Sequence, residues 1–555
     1  MNFLEILLER LKSASDAPVI QEIHADRIET ASGKQLLELM AKARAYIRGS
    51  GLKKRDRCAL LGPNSIRWAA VDLALMAEGV IVVPLYARQV PTELVGMMKD
   101  CAPVRLLCSD AALRDSITSI WPQAPQTALF DDVFASAAGS DASPPLTLSD
   151  DDAVTIIYTS GTSGEPKGVM LNVRGVNLII PCTNARLDEL MALYPKQSRP
   201  DRIFHYGPMS LAASWIVMLT ALSRNSVLLL SMDLKRLADE MKVAMPDYFI
   251  NVPILLERIR TKIEAQISDR GGFAASLFAR AKAAYAREQS GKVRFGDGAW
   301  LKLADAIMFR KIRKTIGVNL KALICGSAPL AADTQLFFMM IGIPVLQVYG
   351  LTETTGICTL DDPRHPVPGY VGAAIPGIEM KVAENEEILV RGPNVFPGYW
   401  NRPEATAEAL RDGWFHTGDQ GERRAYGNWR IVGRVKNLIV LNSGHKVPPE
   451  PIEENLRALM PTADHVMLVG NDRSFLAAVF SGANGNGLAA PELQAALDRA
   501  NGDLPHYRQV RAFCIAPEAF SVENGLLTTN GKLKRDAILE RLRPAIEDIY
   551  RKPER

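Results

Sequence analysis

Residues Tyr158 to Gly168 read YTSGTSGEPKG. Three glycines (Gly161, Gly164, Gly168), four hydroxyls (Thr159, Ser160, Thr162, Ser163) and one cation, Lys167, are crowded into this stretch. An apolar, β-like run from Val154 to Ile157 leads into it. Glycines leaving a strand let backbone N–H groups approach an anion closely, and hydroxyls and an ammonium add further donors. The stretch therefore reads as a phosphate cradle in an α/β protein. It is not a Walker A loop, because Lys167 precedes Gly168 instead of following it. The competing reading is a surface loop of turn-forming residues.

Further along, four more segments carry chemistry: VYGLTETTG (Val348 to Gly356), GWFHTGD (Gly413 to Asp419), GRVKNLIVLNSGHKV (Gly433 to Val447) and LTTNGKLKR (Leu527 to Arg535). With the glycine-rich stretch, their order resembles that of the adenylate-forming superfamily: acyl-CoA synthetases, luciferases and peptide-synthetase adenylation domains. The resemblance implies ATP, Mg²⁺ and, in the synthetase branch, coenzyme A as acyl acceptor.

Composition fits that expectation. A chain of 555 residues is too long for one core, so two or more domains are expected. Apolar residues make up 47% and charged residues 23%, ordinary globular usage. A net charge of +3 implies no nucleic-acid partner. Seven cysteines lie scattered without any C-x-x-C pair, which suggests free buried thiols in a reducing cytoplasm. Glu5 and Glu9 interrupt the apolar pattern of the first residues, which reads as an amphipathic helix and not a signal peptide. Asp72 and Glu78 exclude Trp68 to Tyr86 as a membrane span.

Short β-branched runs (Cys58 to Leu61, Val80 to Pro84, Val104 to Cys108, Val154 to Tyr158, Val227 to Leu230) alternate with helical patterns such as Ile66 to Ala77. This predicts a large N-terminal domain, residues 1–433, of parallel-rich sheets wrapped by helices. Residues 434–555 change character and predict a small mobile α+β domain with strands near Leu438 to Leu441, His465 to Val469 and Leu476 to Phe480, and two helices. The stretch Ala135 to Pro145 reads as a flexible loop. Phe273 to Ile316 is Ala-rich, basic and helical; it reads as a surface insertion, with docking on anionic membranes as the alternative.

The resemblance assigns roles residue by residue. Thr159, Ser160, Gly161, Thr162, Ser163, Gly164 and Lys167 would hold the β- and γ-phosphates. Gly326, Ser327, Ala328 and Pro329, in ICGSAPL, would lie against adenine, with Tyr349 stacked on it and Gly350 adjoining; a buried core aromatic is the alternative for Tyr349. Thr352 would contact the α-phosphate and Glu353 would bind Mg²⁺, a hard cation that prefers carboxylate oxygen. Asp419 would accept hydrogen bonds from both ribose hydroxyls, and Arg434 would support the ribose or the phosphate. Lys532 would be the catalytic lysine, with Lys534 and Arg535 close enough to compete for the role. Lys436 aligns with a hinge and Gly444 with a turn that lines the pantetheine tunnel. His416 and His445 receive no catalytic role.

LERIRTKI, LKALICGSAPLAADTQLFF and PPEPIEE resemble the long-chain acyl-CoA synthetase branch, so a medium- or long-chain fatty acid is expected. Three departures stand out. Leu211 replaces a usual His in HYGPMSLAASW, Asn437 replaces a common Asp, and Asn530-Gly531 replaces a Pro/Thr-rich run. Two other readings are an acyl-adenylate or carrier-protein ligase, with no carrier domain expected after Arg535, and a nucleotide binder without turnover.

Overall fold

The structure, a computed structural model, describes residues 1–135, 143–160, 166–424, 427–482, 488–502, 504–528 and 531–551. The tip of the glycine-rich stretch (Gly161, Thr162, Ser163, Gly164), Asn530 and most of the stretch read as a flexible loop after Ala135 fall outside them.

Two large sheets form the body. One has nine strands, in the order Ala373–Ala374, Thr359–Leu360, Val345–Tyr349, Ala322–Cys325, Tyr248–Asn251, Asp201–His205, Ser226–Ser231, Pro18–Ile23 and Ile28–Ser32. Its interior pairings are parallel, and antiparallel strands close both edges. The other has six strands, five of them mutually parallel, ending in an antiparallel hairpin of Ala153–Ser160 with Pro166–Asn172. Strands such as Leu60 and Val82 are fully buried because helices cover both faces. Helix Ile66–Ala77 lies between the sheets with nearly every side chain inside.

The N-terminal helix, Phe3–Ala14, buries Phe3, Leu4, Leu7, Leu8 and Leu11, the face its spacing predicts. Asn2 caps it, accepting from the N–H groups of Leu4 and Glu5. A third, antiparallel sheet carries Glu387–Arg391, Trp414–Arg423 and Trp429–Arg434.

Beyond it the chain builds separate cores. One gathers Ile439, Leu456, Leu476 and Phe480, and another Met467, Val479, Leu527 and Ile538. They surround a three-stranded sheet, His465–Val469, Leu476–Ser481 and Val510–Ile515. Among the described residues four helices accompany it, not two: Glu450–Leu459, Ala490–Asn501, Arg535–Arg541 and Arg543–Arg551. The last two are short, and Pro544 at the start of the second divides one charged stretch into two elements. Among the described residues no helix is long and apolar enough to cross a membrane.

Candidate active site

The glycine-rich stretch turns back on itself. Thr159 pairs with Lys167 and Tyr158 with Gly168 in the hairpin, so the segment leads into a second strand and not into a helix. A Cβ on Gly168 would sit 2.8 Å from the Ile156 side chain, and the Gly168 carbonyl accepts from the N–H of Trp400 at 2.7 Å. That contact seats Tyr399 beside the hairpin. The Lys167 ammonium lies 5.2 Å from the centre of the Tyr399 ring, and the Tyr399 hydroxyl donates to Glu353 Oε1 at 2.9 Å. Tyr399 thus joins the glycine-rich hairpin to Glu353, a link that sequence reading did not find.

Strands Ala322–Cys325 and Val345–Tyr349 are parallel neighbours, so the segments leaving their C-terminal ends emerge together. Ligands in open α/β sheets bind beyond such ends. Gly326 is buried, while Ser327, Ala328 and Pro329 present an open surface. Ser327 and Thr355 both adopt left-handed backbone, at φ 72° and 53°. For a β-branched threonine this is strained, and its surroundings hold it there: Thr355 Oγ1 donates to the Asn394 carbonyl at 2.8 Å. Gly350 must be glycine, because a Cβ would come within 2.3 Å of the Gly356 carbonyl oxygen. These constraints shape the turn Thr352–Thr354 that carries Glu353. Thr352 is half-buried beside it.

Asp419 stands directly opposite Arg434 in the third sheet. Arg434 Nε lies 2.9 Å from Asp419 Oδ1, and the Tyr349 hydroxyl donates to Oδ2 at 2.8 Å. Each carboxylate oxygen still has a lone pair for another donor. Tyr349 is half-buried and anchored by its hydroxyl, so it is neither a plain core aromatic nor a free one.

The small α+β part delivers Lys532 into this group. Lys532 sits in a tight turn: its N–H donates to Thr528 Oγ1 at 3.1 Å, its carbonyl accepts from the Thr528 N–H at 2.8 Å, and Gly531 takes φ 73°. The side chain keeps solvent access, yet protein from both parts of the chain surrounds it. Burial lowers the pKa of its ammonium, Arg434 lowers it further, and Asp419 and Glu353 oppose the shift. Burial raises the Glu353 carboxyl, against hydrogen bonds from backbone and Tyr399 and the charge of Arg434. Lys534 and Arg535 go elsewhere. Lys534 Nζ lies 3.7 Å from Glu93, and Arg535 forms a two-point pair with Glu453 at 2.5 and 2.9 Å. Two further ion pairs hold this arrangement from outside: Arg457 to Glu257 at 2.8 Å and Arg258 to Asp464 at 2.9 Å.

The remaining predicted residues lie apart. Lys436 occupies the short turn Val435–Asn437 directly after Arg434. Gly444 is in an exposed turn at φ 81°, next to His445, which stacks on Tyr507 at 4.3 Å. His416 pairs with Glu387 at 3.0 Å. Leu211 precedes helix Ala212–Ser223, which lies against Gly356. The nearby His205 is fully buried, and burial lowers its pKa to about 4, so it is neutral and does not restore the missing imidazole's charge.

Residues 8–400 match the AMP-binding enzyme family, and residues 436–554 match the AMP-binding enzyme C-terminal domain. The chain belongs to the AMP-binding enzyme family. Among curated relatives, the long-chain-fatty-acid–CoA ligase FadD15 of Mycobacterium bovis is 29% identical over 546 residues, covering 90% of this chain and 89% of the relative. The putative fatty-acid–CoA ligase fadD11 of Mycobacterium tuberculosis is 31% identical, covering 77% and 79%. The human long-chain-fatty-acid–CoA ligase 6 is 32% identical, covering 73% and 62%. Among solved structures, ATP-bound MatB from Rhodopseudomonas palustris superposes with a TM-score of 0.72 at 24% identity, over 98% of this chain and 99% of the other. The adenylation domain of a carboxylate reductase from Mycobacterium chelonae gives 0.76 at 20% identity, over 100% and 91%. These structures establish the adenylate-forming fold, and the AMP-binding enzyme carries its cluster of Lys532, Glu353, Asp419 and Arg434 within it.

Proposed function

We propose that this AMP-binding enzyme converts a medium- or long-chain fatty acid to its CoA thioester in two steps. The observation that carries the reading is the approach of Lys532, from the small part, to Glu353 and Asp419 of the large one and to Arg434 at the boundary between them. In the first step a carboxylate oxygen attacks the α-phosphorus of ATP; the bond to the bridging oxygen breaks and pyrophosphate leaves. In the second the CoA thiolate attacks the acyl carbonyl carbon, and AMP leaves with the electron pair of the C–O bond.

Each residue has a place in this scheme. The hairpin from Thr159 to Lys167 holds the β- and γ-phosphates. Gly326 to Pro329 and Tyr349 border the base, and Asp419 with Arg434 takes the ribose. Lys532 bridges the carboxylate and the α-phosphate as negative charge develops, which is electrostatic catalysis by a positioned cation. The donor chemistry fits Mg²⁺: Glu353 offers a carboxylate oxygen that a single tyrosine hydroxyl now occupies. The bound ion would neutralise phosphate charge.

The boundary near residue 433 is read as a pivot at Lys436. After adenylation the small part swings, withdraws Lys532 and brings the turn at Gly444 toward the thiol acceptor. CoA is preferred to a carrier-protein phosphopantetheine because the curated relatives are named as CoA ligases. We read the enzyme as cytoplasmic, with peripheral contact at the inner face of a membrane as an open alternative. The test is pyrophosphate release with Mg-ATP across acids of increasing length, each with and without CoA. CoA-dependent turnover peaking at one length supports the reading. A CoA-independent burst points to an acyl-adenylate or carrier-protein ligase, and no release with any acid overturns adenylation.

A further inference from the structure

Residues 271–320 carry ten Lys and Arg against three Asp and Glu, a net +7 in a chain whose total is +3. The remainder is therefore net acidic, and the positive charge is concentrated in one place. This segment folds as helix Gly272–Gln289, a connecting turn, and a continuous helical run made of Asp297–Ala304, the π turn Asp305–Phe309 and Arg310–Ile316. The two arms pack together: Arg280 lies 4.4 Å over the Trp300 ring and Arg287 pairs with Asp297 at 2.5 Å.

The outer side of the second arm has a regular pattern. Ala304, Met308 and Phe309 turn inward, while Lys302, Leu303, Ala306, Ile307, Arg310, Lys311 and Lys314 are exposed. Steps of three and four residues place the exposed set along one stripe, with Leu303 and Ile307 flanked by cations. At the N-terminal end of that arm the connecting turn exposes four residues in a row, Lys292, Val293, Arg294 and Phe295. Val293 is 63% exposed and Phe295 is entirely outside the fold. Two of the three local acids are paired within the segment: Asp305 with Arg313 at 2.6 Å and Arg310 at 3.1 Å, and Asp297 with Arg287, while Glu288 is exposed. Among the described residues, none of Lys292, Lys302, Lys311 and Lys314 forms an ion pair with an acid.

We propose that this stripe and its apolar tip dock the enzyme on an anionic lipid bilayer. Lysines reach the phosphate layer while Val293, Phe295, Leu303 and Ile307 enter the boundary between headgroups and chains. A nucleic acid would use the cations but gives no reason to expose a run of aliphatic side chains. A membrane accounts for both. The inference extends the fatty-acid reading by naming where the substrate's own solvent is met. Vesicle binding is measured without ATP or acid, so either idea can fail alone.

The experiment is co-sedimentation of the full chain with phosphatidylcholine vesicles, with and without three parts in ten of phosphatidylglycerol. Binding to the anionic vesicles alone, weakened by salt, is expected. Lys311→Gln and Lys314→Gln should each lower the partition coefficient about fivefold. Val293→Ser with Phe295→Ser should release the protein while leaving turnover of a short, water-soluble acid unchanged. Absence of sedimentation, equal binding to uncharged vesicles, or binding indifferent to both sets of changes would overturn the proposal. So would tight binding of duplex DNA lost in the lysine variants but kept in the apolar ones.

Discussion

Arg457 of the small α+β part lies 2.8 Å from Glu257 on helix Pro253–Arg270 of the large part, 200 residues away in sequence. Both side chains are largely shielded from water, and burial raises the Glu257 carboxyl against the pull of Arg457. The pair is made in the orientation that brings Lys532 toward Glu353, and a swing of the small part would break it. Glu257→Gln should therefore slow adenylation roughly tenfold and leave acyl transfer from preformed acyl-adenylate unimpaired. The exchanged pair, Glu257→Arg with Arg457→Glu, should recover much of the loss. Equal slowing of both half-reactions would deny the pair this role.

Lys532→Ala removes the lysine that the small part brings to the cluster. Loss of a positioned donor to developing charge costs roughly 10²- to 10³-fold in rate. Pyrophosphate exchange should fall by that much while ATP affinity changes little. Lys534→Ala and Arg535→Ala serve as controls, since those side chains engage Glu93 and Glu453. A larger loss of exchange in either than in Lys532→Ala would move the role away from Lys532.

Asp419→Ala deprives Arg434 and Tyr349 of their shared partner and, on the proposed assignment, the ribose of its acceptor. Hydrogen bonds to a charged group contribute about 1.5–3 kcal/mol each. ATP affinity should fall at least tenfold by calorimetry, and Tyr349→Phe should fall less. Wild-type affinity in Asp419→Ala would refute the ribose assignment.

Asp72 should make stability depend on pH. It is fully buried, receives a hydrogen bond from Trp215 Nε1 at 3.0 Å, and leaves its other oxygen without a partner. Burial raises its pKa to about 7, with the Trp215 bond opposing. The folded chain thus holds a proton that the unfolded chain releases near pH 4. Stability should decline as pH rises from about 4 to about 7, by an amount on the order of 4 kcal/mol. Asp72→Asn keeps an acceptor for Trp215 and removes the titration. Its melting temperature should exceed that of the wild type at pH 8 and lose this pH dependence; a slope equal to the wild type's would exclude Asp72.

Much of this was legible in the sequence. Helix Ile66–Ala77 and the apolar face of Phe3–Ala14 follow from periodicity alone. So does the alternation of strands and helices, because fully buried parallel strands leave unbroken β-branched runs. The motifs predicted Glu353, Asp419 and Lys532 together because each lies in a segment with its own local signature, a short turn for Glu353 and Lys532 and the strand Trp414–Arg423 for Asp419. Tyr399 had none: its position depends on Trp400 meeting Gly168, a contact between segments far apart in the chain. The Glu257–Arg457 pair was silent for the same reason. Asn437 was read as a mere departure, whereas its amide donates to Glu450 at 2.6 Å, where an aspartate would have set two carboxylates together.

Arg434 ends the strand that faces Asp419, and the turn holding Lys436 begins at the next residue. The residue proposed to grip the nucleotide is thus also the root of the arm proposed to move. Occupancy and orientation then become two readings of one equilibrium. If one orientation of the small part tightens Arg434 on the nucleotide, the nucleotide must favour that orientation by the same factor. Release of AMP would in turn relax the arm, so the end of one cycle would set the geometry with which the next begins.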